Sequence, residues 1–355
     1  MTYRELLAKD SFWMKDTPDI PIVLSSRIRL ARNIADNPFP HVMSYDDAEK
    51  IEAQISGVLD GFIAEKEKLV YIPLKMLIPV EKKVLIEKHL VSPGFKETEY
   101  ARGLALSESH KIAVMVNEED HLRIQVLMPG NSLREAWHLA GLVDDHLEAH
   151  LDIAYKEKFG YLTTCPTNVG TGLRVSVMVH LPALVLTNQV QQVLGALTSL
   201  GLAVRGVYGE GSRSFGNIFQ ISNQVTLGKS EEDTLAHLDA VTRQLMEREV
   251  QMREVIRKES PLIVEDKVWR ARGTLENARI LETEEIYSLL SEDRLGIDMG
   301  ILPRVSAGFV SVLINSMQGC LQYNRNKQLD AYDINAERAH FVRGIYHQKM
   351  SENVN

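Results

Sequence analysis

Residues 22–30, IVLSSRIRL, alternate apolar and polar positions with a period of two, which predicts a short strand carrying Arg27 and Arg29 on one side. Residues 45–67 repeat apolar positions at helical spacing, and Ser44 ahead of Asp46 and Asp47 predicts a capped start for that helix. The β-branched stretches 111–116 and 122–128 read as strands joined by an acidic turn at 117–120. Ser132-Leu133-Arg134-Glu135 has the pattern of a capping box and predicts a long helix to about residue 156. A strand over 173–181, a helix over 183–200 and strands near 203–207 and 217–222 follow. Beyond Gly228 strand signals fade: 230–258, 266–281, 283–293, 305–323 and 335–350 all read as helices. The connections are too irregular for repeated βαβ units. The expectation is an α+β protein with an N-terminal segment over 1–21, a mixed unit over 22–252 and a helical unit over 253–355.

Composition narrows the partners. With 355 residues, 45% of them hydrophobic, the chain can bury a sizeable core. A formal net charge of −8 argues against general polyanion binding, so no direct nucleic-acid partner is expected. Two distant cysteines, Cys165 and Cys320, suit a reducing compartment and offer neither a disulfide framework nor a zinc site. The N-terminus lacks the apolar core of a signal peptide. The longest apolar stretch, 175–186, is broken by His180 and Pro182, so a cytoplasmic protein with no membrane partner is expected.

Against that acidic background, five arginines stand in separate short segments: Arg27 and Arg29 in 25–29 (SSRIR), Arg123 in 117–123 (NEEDHLR), Arg174 in 165–174 (CPTNVGTGLR) and Arg205 in 205–210 (RGVYGE). A single arginine is ordinarily a solvated charge. Several together suit a nucleoside triphosphate, whose transferring phosphoryl group spreads negative charge that guanidinium forks and Mg²⁺ stabilise. Neither a Walker A sequence nor the HRD and DFG motifs of protein kinases occur. Glu119 and Glu210 lie in two of these segments; paired carboxylates can hold a cationic guanidinium acceptor and take up its proton. His138, His146 and His150 share one predicted helix, where a solvated face explains them as well as a metal does. The charged helix with Arg243, Arg248, Arg253 and Arg257 reads as a solvated or interface helix, and the apolar face of 305–321 as core or dimer seam.

The four segments resemble the phosphagen (guanidino) kinases, and almost the whole chain is similar to the bacterial protein-arginine kinase branch of that family. The resemblance implies a mostly antiparallel sheet flanked by helices, followed by a helical domain for dimerisation and regulation. It implies ATP and Mg²⁺, with the nucleotide held by Ser25, Ser26, Arg27, Ile28, Arg29, His89, Arg123, Arg174, Val175, Ser176, Val177, Met178, Arg205, Gly206, Val207, Tyr208, Gly209 and Glu210. Arg123, Arg174 and Arg205 would act on the transferring group. Glu119 and Glu210 would hold the acceptor guanidinium, one of them as base, and Cys165 would pack beside it without becoming a covalent nucleophile. Glu210 matches the arginine-type members. Small-substrate members carry a helical lid before the SSRIR segment; here that segment begins at Ser25, so arginine within proteins is the expected acceptor. The alternatives are a small-guanidino phosphagen kinase and a non-catalytic adaptor. Residues 334–339 match a phosphoarginine-binding motif only in part, giving Asn335, Arg338 and Ala339 as a degenerate regulatory site. The implied partners are protein substrates, a zinc-binding activator protein, a Clp ATPase, a transcription repressor and a second copy of the chain, in marking misfolded or regulatory proteins for degradation under stress.

Overall fold

The computed structural model describes residues 2–16, 22–96, 101–207 and 214–348. Nine strands among them form one sheet in which every pairing is antiparallel. They are β1 (Val23–Arg32), β2 (Ile63–Ala64), β3 (Glu67–Pro73), β4 (Gly103–Ser107), β5 (Ile112–Val116), β6 (Leu122–Pro129), β9 (Leu173–His180), β10 (Leu202–Gly206) and β11 (Ile218–Asn223). Two short strands, β7 (Tyr155–Lys156) and β8 (Gly160–Tyr161), pair separately as a hairpin. The sheet order β10-β11-β9-β1-β6-β5-β4-β3-β2 puts three arginine-bearing strands, β9, β1 and β6, side by side at its centre.

The helices are α1 (Tyr3–Ala8), α2 (Tyr45–Leu59), α3 (Pro79–Glu87), α4 (Leu133–Glu148), α5 (Pro182–Leu186), α6 (Val190–Ser199), α7 (Glu231–Glu259), α8 (Pro261–Asn277), α9 (Thr283–Asp298), α10 (Phe309–Asn315), α11 (Gln318–Arg325) and α12 (Ala331–His347). Period-two alternation divides the sheet into two faces. On one, Ile28, Leu30, Ile124, Val126, Val175 and Val177 pack against α2, α4 and α7. Each fully buried aliphatic side chain of this kind contributes about 1.5–3 kcal/mol. On the other face a second core gathers Trp13, Met115, Leu127 and Met178 with residues of α3 and α9 to α12. The helical C-terminal region therefore packs directly over the sheet face that carries the arginines.

Several predicted elements change length. The helix begun at Ser44 forms, with Ser44 Oγ accepting from Asp47 N at 3.2 Å, but it ends at Leu59 rather than near 67. Gly61, at φ +79°, turns the chain into the β2–β3 hairpin. Ser132 does not cap α4: its hydroxyl donates to Pro129 O, and α4 stops at Glu148. The stretch 183–200 is two helices, broken where Asn188 takes φ +56°. The stretch 305–323 likewise divides into α10 and α11. Strands β3 and β4 carry no alternation strong enough to have been predicted.

Candidate active site

The strand registers bring the arginines together. Arg29 lies opposite Arg174 on β9 and Gln125 on β6; Arg27 lies opposite Ser176; Arg205 lies opposite Gln220. Cross-strand partners share a face, so one side of the sheet bears this row of guanidiniums. Arg27, Arg29, Arg123, Arg174 and Arg205 line a cleft of about 630 Å³, together with His89, Gly206, Val207, Gln125 and Gln220. Tyr287 of α9 and Met317 reach it from the helical region. Ser25, Ser176 and Met178 line a small recess continuous in its residues with the same cleft.

Neighbouring side chains aim the cations. Arg27 donates to Gln220 Oε1 at 2.7 Å and to Ser176 Oγ at 3.3 Å, and Arg174 donates to Ser222 Oγ at 3.2 Å. Arg29 Nε and Arg174 Nε are buried without a hydrogen-bond partner. Burial, then the charges of Arg27, Arg123 and Arg174, push the Arg29 guanidinium well below its ordinary value. Burial, then Arg205 and Arg123, lower Arg174 as well. Arginine stays charged in proteins, so burial and, after it, repulsion between the guanidiniums act against charges that a bound polyanion would stabilise.

His89 sits just beyond α3 in the left-handed region, at φ +58°. Its ring stacks on Trp13 with centroids 5.2 Å apart and planes 16° apart. Trp13 Nε1 donates to Lys88 O at 3.1 Å, and Gln125 Nε2 donates to His89 O at 3.0 Å. Burial, aided by the Arg27 charge, holds the imidazole down to about 3. His89 is therefore a neutral ring at the cleft wall.

The turn between β5 and β6 supplies the carboxylates. Asn117, at φ +56°, starts it, and Glu118 N donates to Asp120 O at 3.1 Å. Glu118 pairs closely with Arg123 and accepts from Ser92 Oγ at 2.5 Å. Glu119 is looser, 3.4 Å from Arg123 and 38% exposed. Asp120 faces inward, where its Oδ1 accepts from Asn33 Nδ2 and from Thr164 N, both at 2.7 Å. That carboxylate joins the Glu119 turn to the loop of Cys165. Cys165 is partly exposed with Sγ 3.0 Å from Thr167 Oγ1, and both Glu119 and Cys165 are close enough to Arg174 to act on its charge. Gly172 serves close packing: a Cβ there would stand 2.5 Å from the Arg32 guanidinium and 2.6 Å from Ala31 O.

Four positions expected to bind nucleotide place no side chain in the cleft. Ile28, Val175 and Val177 project into the opposite core. Ser26 is buried, donating to Gly130 O at 2.8 Å and accepting from Ser132 N at 3.0 Å. Strand alternation makes this unavoidable, since only every second residue of a motif can face the cleft. Tyr208, Gly209 and Glu210 lie outside the described residues. Of the residues expected to form a regulatory site, Arg338 is 1% exposed and donates to Ser316 O, Leu281 O and Asn335 Oδ1, while Ala339 is buried. That guanidinium holds three segments together.

The helix histidines also resolve. His146 stacks on Phe62 at 3.7 Å and donates to Val58 O, His150 donates to His146 O, and His138 stands 3.2 Å from Glu65. Among the described residues no group of three or more His, Cys, Asp or Glu could hold a metal ion, and no helix is long and apolar enough to cross a membrane. Sequence reasoning missed Gln125, Gln220, Ser222, Asp120 and Trp13. The first three could have been found by continuing the strand alternation; nothing local signals Trp13.

Comparison with known proteins places this geometry. The model of the ATP:guanido phosphotransferase C-terminal catalytic domain matches residues 50–252, and that of the protein-arginine kinase McsB C-terminal domain matches 261–355. The protein-arginine kinase of Symbiobacterium thermophilum is 46% identical over 97% of this chain and 99% of its own length. That of Bacillus subtilis is 47% identical over 96% of this chain and 94% of its own. A crystal structure of lombricine kinase aligns with a TM-score of 0.57 at 25% identity, covering 68% of this chain and 69% of that one. The duplicated taurocyamine kinase from Schistosoma mansoni shares the fold at a TM-score of 0.58 and 23% identity, over 76% of this chain and 42% of that one. The chain belongs to the ATP:guanido phosphotransferase family, in its protein-arginine kinase branch.

Proposed function

We propose that this protein transfers the γ-phosphoryl group of ATP to arginine side chains of proteins. The observation that carries the reading is the row of five guanidiniums in one cleft, two of them with buried unpartnered Nε atoms, beside the Glu118–Glu119 turn. A triphosphate brings about four negative charges to such a row. Arg27 and Arg174, aimed by Gln220, Ser176 and Ser222, would hold the phosphates, and the buried charge of Arg29 would be stabilised by the same anion. His89 would offer a neutral surface at the cleft wall. Magnesium bound with the nucleotide would neutralise part of the triphosphate charge.

Glu119 has the freedom to receive a guanidinium that Glu118, pinned by Arg123 and Ser92, does not. As the N–P bond forms, the bond from γ-phosphorus to the bridging oxygen breaks and leaves ADP. The acceptor nitrogen gives a proton to a carboxylate, Glu119 or Glu210. A carboxylate in this role is worth about 10²–10⁴ in rate. Glu119→Gln should therefore lower kcat by about 10²-fold or more while the Kd for ATP stays within about two-fold, read by single-turnover transfer and calorimetry. Activity retained in that variant would remove Glu119 from the mechanism.

The wider setting belongs to the same proposal. The protein would work in the cytoplasm, marking misfolded or regulatory proteins, with a transcription repressor among them, for a Clp ATPase and its protease under stress, with a zinc-binding activator. Catalysis would reside in 22–252, and 253–355 would serve regulation and homodimerisation. Exposed Leu262, Ile263 and Trp269 on α8 support a partner surface there.

A further inference from the structure

A second cleft, of about 720 Å³, runs along the β7–β8 hairpin. It presents Tyr155, Phe159 and Leu227, which are 57%, 44% and 54% exposed. Large apolar side chains gathered at one open cleft mark an interaction surface, unlike the same residues scattered singly. Its ionisable lining consists of four carboxylates, Glu148, Asp152, Glu157 and Glu231, against two lysines, Lys158 and Lys229. The occupant it favours is therefore apolar in part and cationic in charge.

This cleft is tied to the acceptor end of the active site by backbone. Tyr161 N donates to Gly170 O at 2.8 Å and Gly170 N to Tyr161 O at 3.4 Å, which closes 162–169 into a loop bearing Cys165. Thr226, also lining the cleft, donates to Thr167 O and Val169 O at 2.8 and 2.7 Å and fixes the same loop from its other side. From Cys165 to Gly170 the chain spans at most about 17 Å, the length of roughly five extended residues. An extended polypeptide with its arginine beside Cys165 reaches the cleft within about five positions.

We infer that this cleft is the docking groove for the polypeptide substrate, taking apolar and basic side chains within about five residues of the target arginine. The inference rests on the proposed protein-arginine kinase activity and adds where the substrate chain runs. It makes Tyr155 and Phe159 specificity-determining residues that touch neither ATP nor the reacting atoms.

The test uses the full chain and two acceptors, an unfolded, carboxymethylated arginine-rich protein and Nα-acetyl-argininamide. In Tyr155→Ser/Phe159→Ser the KM for the polypeptide should rise about ten-fold, while the KM for ATP and kcat/KM for the single blocked arginine stay within about two-fold. Tyr155 packs edge-on to Tyr161, so Glu157→Lys, at an exposed site, repeats the test without disturbing the hairpin. It should raise the same KM, more strongly at low salt. A polypeptide KM unchanged in both variants overturns the groove. So does an unchanged KM accompanied by loss of a dimer on size exclusion, which would assign the surface to a second copy. Failure of the unaltered protein to phosphorylate any polypeptide is a separate result: it overturns the proposed function, and the groove with it.

Discussion

His110 illustrates how burial sets the chemistry of single residues in this protein. Its Nδ1 is 2.9 Å from Ser11 Oγ and its Nε2 2.9 Å from Leu6 O, so the ring pins the N-terminal segment to the sheet. Burial, with the Lys88 charge, holds it down to about 4, against about 6.5 in an unfolded chain. Below 6.5 the unfolded state thus binds a proton that the folded state refuses, so stability falls with pH. The contribution is complete above about 6.5 and is lost as pH drops towards 4. Buried carboxylates such as Glu249 and Asp298, shifted up by burial, act in the opposite sense. The difference between two proteins isolates the histidine: from pH 7 to 4.5 the Tm of His110→Gln should fall less steeply than that of the parent, measured by calorimetry. Equal slopes would contradict it. At this scale the sequence was legible where charge marks a residue. Arg27 and Arg29 declare their shared face, whereas Gln125 and Gln220 carry no such flag. The Trp13–His89 stack joins positions far apart in the chain and has no local signature.

Elements were legible where hydrophobic period and punctuation agree. β1 and α7 are recovered almost to the residue, with Ser230 accepting from Asp233 N at the start of α7. They fail where the period runs on through a break. Apolar spacing continues across Asn188, whose left-handed backbone is a single-residue event, so two helices read as one. Between α10 and α11 the break is held from elsewhere in the chain, by Arg338 donating to Ser316 O. The Asp120 link between the Glu119 turn and the Cys165 loop is another such long-range device. Asp120→Ala strips acceptors from Asn33 Nδ2 and Thr164 N, at a cost of about 1–3 kcal/mol, and frees two site loops at once. Both Tm and kcat/KM should fall, while Asp120→Asn, which keeps the acceptor oxygen, should restore most of each. An Ala variant with undiminished kcat/KM would show that the two loops need no tether.

Across the whole molecule, the sheet and the helical region are one packed body rather than a kinase with an appendage. α7 places Glu249 against Ala183 N and Leu184 N, and an ion-pair chain runs from it through Arg253, Asp298 and Arg294 to Asp16 near the N-terminus. Tyr287 and Met317 then complete the arginine-lined cleft from the helical side. The antiparallel sheet and the two-part character could be anticipated from the sequence through the family likeness. The closure of the cleft by helices could not, because it depends on which apolar faces meet.

The most direct measurement is transfer of label from γ-labelled ATP–Mg²⁺ to an unfolded arginine-containing protein, with free L-arginine alongside, scoring acid lability and locating the label by mass spectrometry. Acid-labile phosphate on arginines of the polypeptide, with free arginine far the poorer acceptor, is the predicted result. Label on free arginine alone, or acid-stable label on hydroxyl side chains, would contradict it.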